Sequence, residues 1–389
     1  MNDCFAPERR KRLTLKSGKE RVAANRHPWI FGGAIGRESG PDDAAIAELF
    51  DPRGTRIASG LHSPHSQIRM RVLTFGDDEL TADTIRARIG AAIVRRQSML
   101  DDDTNAVRLI HSEGDDLSGL VVDRYDDLLV VEIANYGLAQ LQELIVDALP
   151  SGRIYFKNDI PARKLEHLPL EPEGDQGTTT IRENGLKFLV EPASGQKTGF
   201  FLDQRENRAM ARVLSAGKRV LNLFSYTGGF GVYAAAGGAS EVENVDVSEP
   251  AIALARRNHE LNGVGGIFTA GDAFTVVRQR AAANERYDFV ICDPPAFAKS
   301  RGEVDRAARG YKDVNLYAMR LVAPGGLLMT FSCSGHIDLD LFQKVIFSAT
   351  LDAGRRASFM RRLTAAPDHP VSLFAPEGEY LKGFLIEVR

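Results

Sequence analysis

Nine residues, Asn222-Leu-Phe-Ser-Tyr-Thr-Gly-Gly-Phe230, decide the fold of this chain. They close the strand-length apolar run Arg219-Val-Leu-Asn-Leu-Phe224 and pass through a glycine pair into a helical pattern. Two more apolar runs end in the same manner: Tyr287-Asp-Phe-Val-Ile-Cys292 at Asp293-Pro-Pro295, and Gly326-Leu-Leu-Met-Thr-Phe331 at Ser332-Cys-Ser334. Runs this apolar read as strands of a parallel sheet buried on both faces. In such sheets ligands bind beyond the carboxyl ends of the strands, near the point where strand order reverses. Three polar or glycine-bearing strand ends in one half of the chain therefore mark one site.

Working outward, helices and buried strands alternate from about residue 205. Strands are expected at 219–224, 241–246, 266–270, 287–292, 326–331 and 381–388, and helices near 204–215, 229–236, 249–261, 272–282, 311–322 and 338–352. Alternation of this kind builds a doubly wound, mostly parallel sheet, so the fold class is α/β. The preceding half reads differently. Trp29-Ile-Phe31, Ile46-Ala-Glu-Leu-Phe50 and Ile68-Arg-Met-Arg-Val-Leu73 are short strands of a small β-rich barrel, ending at Gly76-Asp-Asp78. Residues 81–99 put Ile85, Ile89, Ala92 and Ile93 on one helical face, with Arg86, Arg88, Arg95 and Arg96 elsewhere. Strands at 109–111, 119–122 and 128–133, a helix at 137–149, and strands at 153–157 and 179–190 complete an α+β module. The expected domains are 1–76, 77–192 and 193–389.

With 43% hydrophobic and 26% charged residues, and no apolar run near the roughly 18 that a membrane span needs, the chain reads as soluble. Neither a secretory leader nor a disulfide framework is expected, since Cys4, Cys292 and Cys333 lie far apart; a cytoplasmic location follows. Cys4 is expected in a mobile terminus. His62-Ser-Pro-His65 is read as an exposed polar turn, and no metal site is assigned. A net charge of −3 hides an asymmetry: residues 1–75 carry thirteen Lys/Arg against eight acids, a basic module suited to a phosphate backbone.

The cofactor type follows from what the glycine turn lacks. Strand, glycine turn, helix, strand, acid is the general nucleotide-binding arrangement, and Asp246 stands 18 residues after Gly228, where a carboxylate meets ribose hydroxyls. Dinucleotides come with G-x-G-x-x-G, whose glycines admit a pyrophosphate. Phe224-Ser-Tyr-Thr-Gly-Gly-Phe230 offers close approach without that cradle, which suits S-adenosylmethionine, a ribose without phosphate. Gly271-Asp272-Ala273-Phe274 ends the third strand, where a polar group can reach adenine and a ring can stack on it.

The chemistry lies at the other two strand ends. Asp293-Pro294-Pro295 is a rigid turn that can aim a carboxylate at a planar base. Phe297, Phe200 and Phe201 are candidate stacking rings, with the basic loop Lys299, Arg301, Arg306, Arg309 and Lys312 following. Cys333 is a strand-end thiol before a helix start at Asp338, a setting in which thiolates form. Cytosine carbon 5 cannot take a methyl group unaided; thiolate addition at carbon 6 converts the ring into an enamine that can. A buried small hydrophobe is the alternative reading of Cys333. Cys292 reads as a small core side chain.

Ser194-Gly-Gln-Lys-Thr-Gly-Phe-Phe-Leu-Asp-Gln-Arg205, Asn222 to Phe230, Asp246-Val-Ser248, Asp293-Pro-Pro-Ala-Phe297 and Ser332-Cys-Ser-Gly335 resemble the ribosomal RNA large subunit methyltransferase I family, class I S-adenosylmethionine-dependent cytosine-C5 methyltransferases. The resemblance implies a PUA-like RNA-binding domain beginning at His27-Pro-Trp-Ile-Phe31, a central strand-strand-helix-strand-strand domain, and a Rossmann-like catalytic domain. It implies that Lys197, Thr198, Gly199, Phe200 and Asp203 close over the methionine end of the cofactor. Asn222, Phe224, Tyr226, Thr227 and Gly228 would line it, Asp246 with Val247 and Ser248 would hold the ribose, and Asp272, Ala273 and Phe274 would frame the adenine. Asp293 and Pro294 would lie between cofactor and target base, with Pro295, Phe297 and Lys299 on the substrate side and Cys333 as nucleophile. The implied partner is large-subunit ribosomal RNA, with a homodimer as one compatible assembly. Two rival readings are methylation of uridine carbon 5 or a base nitrogen with Cys333 structural, and a non-catalytic RNA-binding protein. The general base is unassigned, His336 being the near candidate.

Overall fold

The computed structural model describes residues 3–193, 195 and 198–389, and the chain divides into two compact units. The first comprises 1–179, 190–199 and 368–378; the second comprises 180–189, 200–367 and 379–389.

The first unit holds two sheets. Six strands pair in the order Trp29–Phe31, Ile68–Phe75, Arg56–His62, Ile46–Phe50, Lys11–Leu15, Ile35–Ser39. Five more, at 173–174, 153–156, 128–133, 120–125 and 106–111, form the second sheet. Ala45, Ile46, Leu61 and Leu73 from the first sheet share one core with Ile85, Ile89, Leu109, Val122 and Val131. That shared core is why contacts do not divide the chain at residue 76. The hairpin Thr179–Glu183 and Leu186–Val190, turning on Asn184 and Gly185 at positive φ, forms its own two-stranded sheet, mostly in the second unit.

Several expectations are corrected here. Arg96, placed on the polar side of its helix, is buried and grips Asp115 with two hydrogen bonds of 2.7 and 2.8 Å. His62 is not in an exposed turn: it ends a strand, 1% exposed, with Nδ1 bonded to the Ala44 carbonyl. Cys4 lies in a short 3-10 helix and packs against the core around Leu80 and Ile110. The helix expected at 137–149 is two, Tyr136–Ala139 and Gln142–Ala148.

The second unit carries the site. Its strands are β1 (Arg219–Leu223), β2 (Glu241–Asp246), β3 (Ile267–Ala270), β4 (Tyr287–Cys292), β5 (Val322–Ser332), β6 (Ala357–Thr364) and β7 (Lys382–Val388). They pair in the order β3-β2-β1-β4-β5-β7-β6, parallel as far as β5 and antiparallel beyond. Order reverses between β1 and β4. The helices are α1 (Arg205–Leu214), α2 (Gly229–Ala236), α3 (Glu249–Leu261), α4 (Ala273–Ala282), α5 (Val304–Leu321) and α6 (Leu339–Asp352). Three start on side chains that accept from the first turn: Ser248, Asp272 and Asp338. Helix α5 begins seven residues before its expected start, so Arg306, Arg309 and Lys312 lie on a helix rather than a loop. Strand β6 was not expected at all, because most of its residues are exposed and show no alternation.

Candidate functional site

Register brings the quoted strand ends to one edge. Leu223 pairs with Val245 on one side and Cys292 on the other, and Cys292 pairs with Thr330. Phe224, Asp246 and Asp293 therefore each stand one residue beyond the same row, and Cys333 follows three residues after Thr330.

At the β1 end the backbone is bent sharply. Phe224 and Tyr226 adopt φ of 57° and 46°, and Gly228 adopts 78°. Left-handed backbone at bulky residues costs roughly 1–3 kcal/mol each and is kept where function over-determines it. Asp246 supports the bend: one carboxylate oxygen accepts from Tyr226 N at 2.8 Å, the other from Ser248 N at 2.9 Å. A Cβ on Gly228 would meet the Ala255 Cβ at 2.9 Å, so α2 packs on α3 only with glycine there. Beneath the turn, Asn222 donates to Asn244 Oδ1 at 2.9 Å, and Asn244 in turn bonds His259 Nε2 at 3.2 Å.

The residues present fit a nucleoside cofactor. Asn222 Oδ1 and Ser225 Oγ are buried with no hydrogen-bond partner among the described residues, a rare condition that leaves bonding capacity at the strand end. Val247, directly after Asp246, is 74% exposed, an apolar surface beside a carboxylate. Asp272 caps α4, accepting from Thr275 N and Oγ1. Ala273 is buried, and Phe274 packs edge-on to Phe224 with centroids 6.1 Å apart. Phe297, expected to stack on a base, packs on Tyr311 at 4.5 Å and on Phe274 at 5.8 Å, joining the aromatic group of Phe224 and Phe274.

At the β4 and β5 ends, the Cys333 thiol lies 3.7 Å from the Pro294 carbonyl, so the strand-end cysteine touches the Asp-Pro-Pro turn. Pro294 is buried, while Pro295 and Lys299 are exposed; the Lys299 backbone N–H donates to Glu303. Ser334 Oγ bonds the Tyr311 hydroxyl at 2.9 Å and accepts from Ala298 N, tying the cysteine segment to α5 and to the proline turn. Cys333 is half-buried, whereas Cys292 is fully buried and its thiol is pushed well up by burial, with Asp293 adding to the shift. Of these two, Cys333 is the one with exposed surface. Its helix, α6, begins after the loop, as expected from Asp338.

Asp203, from the long glycine string, accepts from the Tyr380 hydroxyl, and its carbonyl accepts from Ala366 N. Phe200 packs on Phe188 at 5.0 Å, and Phe201 lies edge-on to Tyr226 at 5.2 Å. Thr227 is buried, and its carbonyl accepts from Asn258. Thr198 and Gly199 belong to the first unit, where the Thr198 hydroxyl donates to Asp123 and bonds the Tyr125 hydroxyl. Lys197 lies outside the described residues.

Two site residues escaped the sequence reading. Gln204, buried, donates to Asp293 Oδ2 at 3.0 Å and is itself held by Asn207 at 2.6 Å. Its place inside the quoted string was the available signal. Lys382 is buried on β7 and donates to the carbonyls of Ser334 and Ile337. A lysine opening an apolar strand is the only trace it leaves in sequence.

A parallel sheet with the reversal at β1/β4, an acid after β2 and a bent glycine turn after β1 defines a nucleoside-binding α/β enzyme fold. Comparison with known proteins gives the class. Residues 154–378 match the family model for S-adenosylmethionine-dependent methyltransferases, and residues 13–75 match a PUA-like domain. A solved structure of SMU.776, assigned as a methyltransferase and complexed with SAH, is 23% identical, covers 97% of this chain and 99% of that one, and superposes with a TM-score of 0.83. A Streptococcus mutans structure assigned as a SAM-dependent methyltransferase is 22% identical over the same shares, with a TM-score of 0.81. Proteins named ribosomal RNA large subunit methyltransferase I from Photobacterium profundum and Aeromonas salmonicida are each 43% identical, and one from Vibrio cholerae is 40% identical. Each of these three alignments covers 97% of this chain and 99% of the relative. The chain belongs to the ribosomal RNA large subunit methyltransferase I family, with S-adenosylmethionine as its cofactor.

Proposed function

We propose that this chain methylates carbon 5 of a cytosine in large-subunit ribosomal RNA, with Cys333 as covalent nucleophile. The observation that carries the reading is the contact of the Cys333 sulfur with the Asp293-Pro294 turn, 3.7 Å from the Pro294 carbonyl. The relatives' name supplies the RNA class. Residues 1–76, 77–192 and 193–389 are the proposed RNA-binding, central and catalytic modules.

In this reading the Asp246 carboxylate takes the ribose hydroxyls, while Asn222 and Ser225 offer their unused polar atoms at the same strand end. Bound S-adenosylmethionine supplies a methyl group on a positively charged sulfur. A flipped cytosine lies over the proline turn, and Asp293, steadied by Gln204, accepts from its exocyclic amino group. The Cys333 thiolate adds to carbon 6, and the displaced ring electrons make carbon 5 nucleophilic. Carbon 5 bonds the methyl carbon as the carbon–sulfur bond of the donor breaks, leaving a neutral thioether. A base then removes the carbon 5 proton, the double bond re-forms, and the Cys333 thiolate leaves.

The test is Cys333→Ser with labelled cofactor and ribosomal RNA from cells lacking the enzyme. A serine hydroxyl is far less nucleophilic at neutral pH, so transfer is expected to vanish while cofactor affinity stays. Substantial transfer by the variant, or a product other than 5-methylcytosine, overturns the proposal.

A further inference from the structure

Lys382 opens β7 directly across from Ser332 on β5. Its Nζ donates to the Ser334 carbonyl at 2.8 Å and to the Ile337 carbonyl. Those two acceptors bracket the turn that follows Cys333. Buried lysines are rare unless a role retains them, and both hydrogen-bond acceptors here are neutral carbonyls rather than carboxylates. The groups facing the pair come from several elements. Asp338 at the start of α6 and Glu379 before β7 attract the ammonium, the Tyr311 phenol of α5 lies beside the cysteine, and Asp293 sits on the adjoining turn. His336 is exposed on the cysteine's own loop. Burial pulls the Lys382 ammonium below the ordinary lysine range, and the Cys333 sulfur is first among the groups that oppose this. The Pro294 carbonyl, 3.7 Å from the sulfur, favours the neutral thiol that donates to it. A thiolate therefore needs a cation close by, and the Lys382 ammonium is anchored on two carbonyls of the turn that follows the cysteine.

We propose that Lys382 is the positioning residue of the nucleophile, fixing the turn after Cys333 and supplying the positive charge that makes the thiolate accessible at neutral pH. This rests on Cys333 being the nucleophile.

The experiment compares the full chain with Lys382→Met and Lys382→Arg, following alkylation of Cys333 by iodoacetamide across pH with peptide mass mapping, alongside methyl transfer to ribosomal RNA. In Lys382→Met the alkylation midpoint is expected to rise by about one pH unit, with about tenfold slower labelling at pH 7. Methyl transfer is expected to fall in kcat at pH 7 and to recover toward pH 9. Lys382→Arg keeps the charge and is expected to keep a midpoint near wild type. Cofactor affinity by calorimetry reports whether each variant is folded. A wild-type midpoint in folded Lys382→Met overturns the proposal. Should that variant not fold, a displaced midpoint in Lys382→Arg overturns it instead. If Cys333→Ser retains transfer, the nucleophile reading itself has failed; if Cys333→Ser is inactive and the midpoint has not moved, only the role of Lys382 has.

Discussion

Asp246 carries two loads with one carboxylate. It holds Tyr226 in a left-handed conformation through a 2.8 Å bond and caps its own turn through Ser248 N, and in the proposed reading it also meets the ribose hydroxyls. Removing it costs hydrogen bonds to a charged group and releases a strained backbone. Asp246→Ala is expected to weaken S-adenosylmethionine binding by about 1.5–3 kcal/mol. Calorimetry on the folded variant checks this, and unchanged affinity would remove Asp246 from the cofactor site. The two catalytic-half cysteines show how far environment separates identical residues. Cys292 closes β4 inside the core, where burial keeps it a thiol, while Cys333, one strand over, is half exposed against a carbonyl.

Among the elements, β1 and β2 are unusual in carrying a polar ladder through an apolar sheet: Asn222, Asn244, then His259 from α3. Burial holds the His259 imidazole below its ordinary value of 6.5, only partly offset by its bond to the Gly265 carbonyl. The folded chain thus takes this proton less readily than the unfolded one. The stabilisation is complete above about pH 6.5 and is lost as pH falls toward the folded-state value. Urea unfolding at pH 7.5 and 5.5 is expected to show wild type losing stability on acidification and His259→Gln losing less; His62, shifted the same way by its own burial, keeps a residual slope in both. Equal slopes would contradict the assignment. Elements whose residues face one way were legible in sequence. The run 287–292 and the helices 229–236 and 249–261 have the expected bounds, because each leaves a local mark: an unbroken apolar run ending at a proline pair, a glycine pair opening an apolar helix, and an amphipathic helix capped by Ser248. Strand β6 was illegible because its outward residues, Phe359 and Met360 among them, obey no alternation. The early start of α5 was hidden by Arg306 and Arg309, although Ala307, Tyr311, Val314 and Ala318 supply its buried face. Gln204 and Lys382 were illegible for another reason: their partners lie 89 and 48 residues away, and no local pattern encodes such bonds.

Across the whole molecule, the basic excess of residues 1–75 is partly spent inside the fold. Arg10 and Arg56 pair with Glu48, Lys11 with Asp42, and Arg71 with Glu166. Arg12, Lys16, Lys19, Arg21, Arg37 and Arg53 remain exposed. Deleting this segment would strip Ala45, Ile46, Leu61 and Leu73 from a core shared with the five-stranded sheet, so a charge change is the cleaner probe. Replacing Lys16, Lys19 and Arg21 with glutamate is expected to weaken binding to ribosomal RNA fragments. The slope of log affinity against log salt should become shallower by about 0.7–0.9 for each phosphate that the protein no longer neutralises, and cofactor affinity should be unchanged. Equal affinity and slope at every salt concentration would place the RNA-binding face elsewhere.

The central claim is that methyl transfer passes through a bond between Cys333 and carbon 6 of the target base. Ribosomal RNA carrying 5-fluorocytosine tests it most directly, because fluorine at carbon 5 cannot leave as a proton does and the adduct cannot resolve. Incubated with the full chain and S-adenosylmethionine, such RNA is expected to give a denaturant-stable protein–RNA complex whose cross-linked peptide contains Cys333. Recovery of the adduct on Cys292, or methylated RNA released with no adduct at all, would contradict the account.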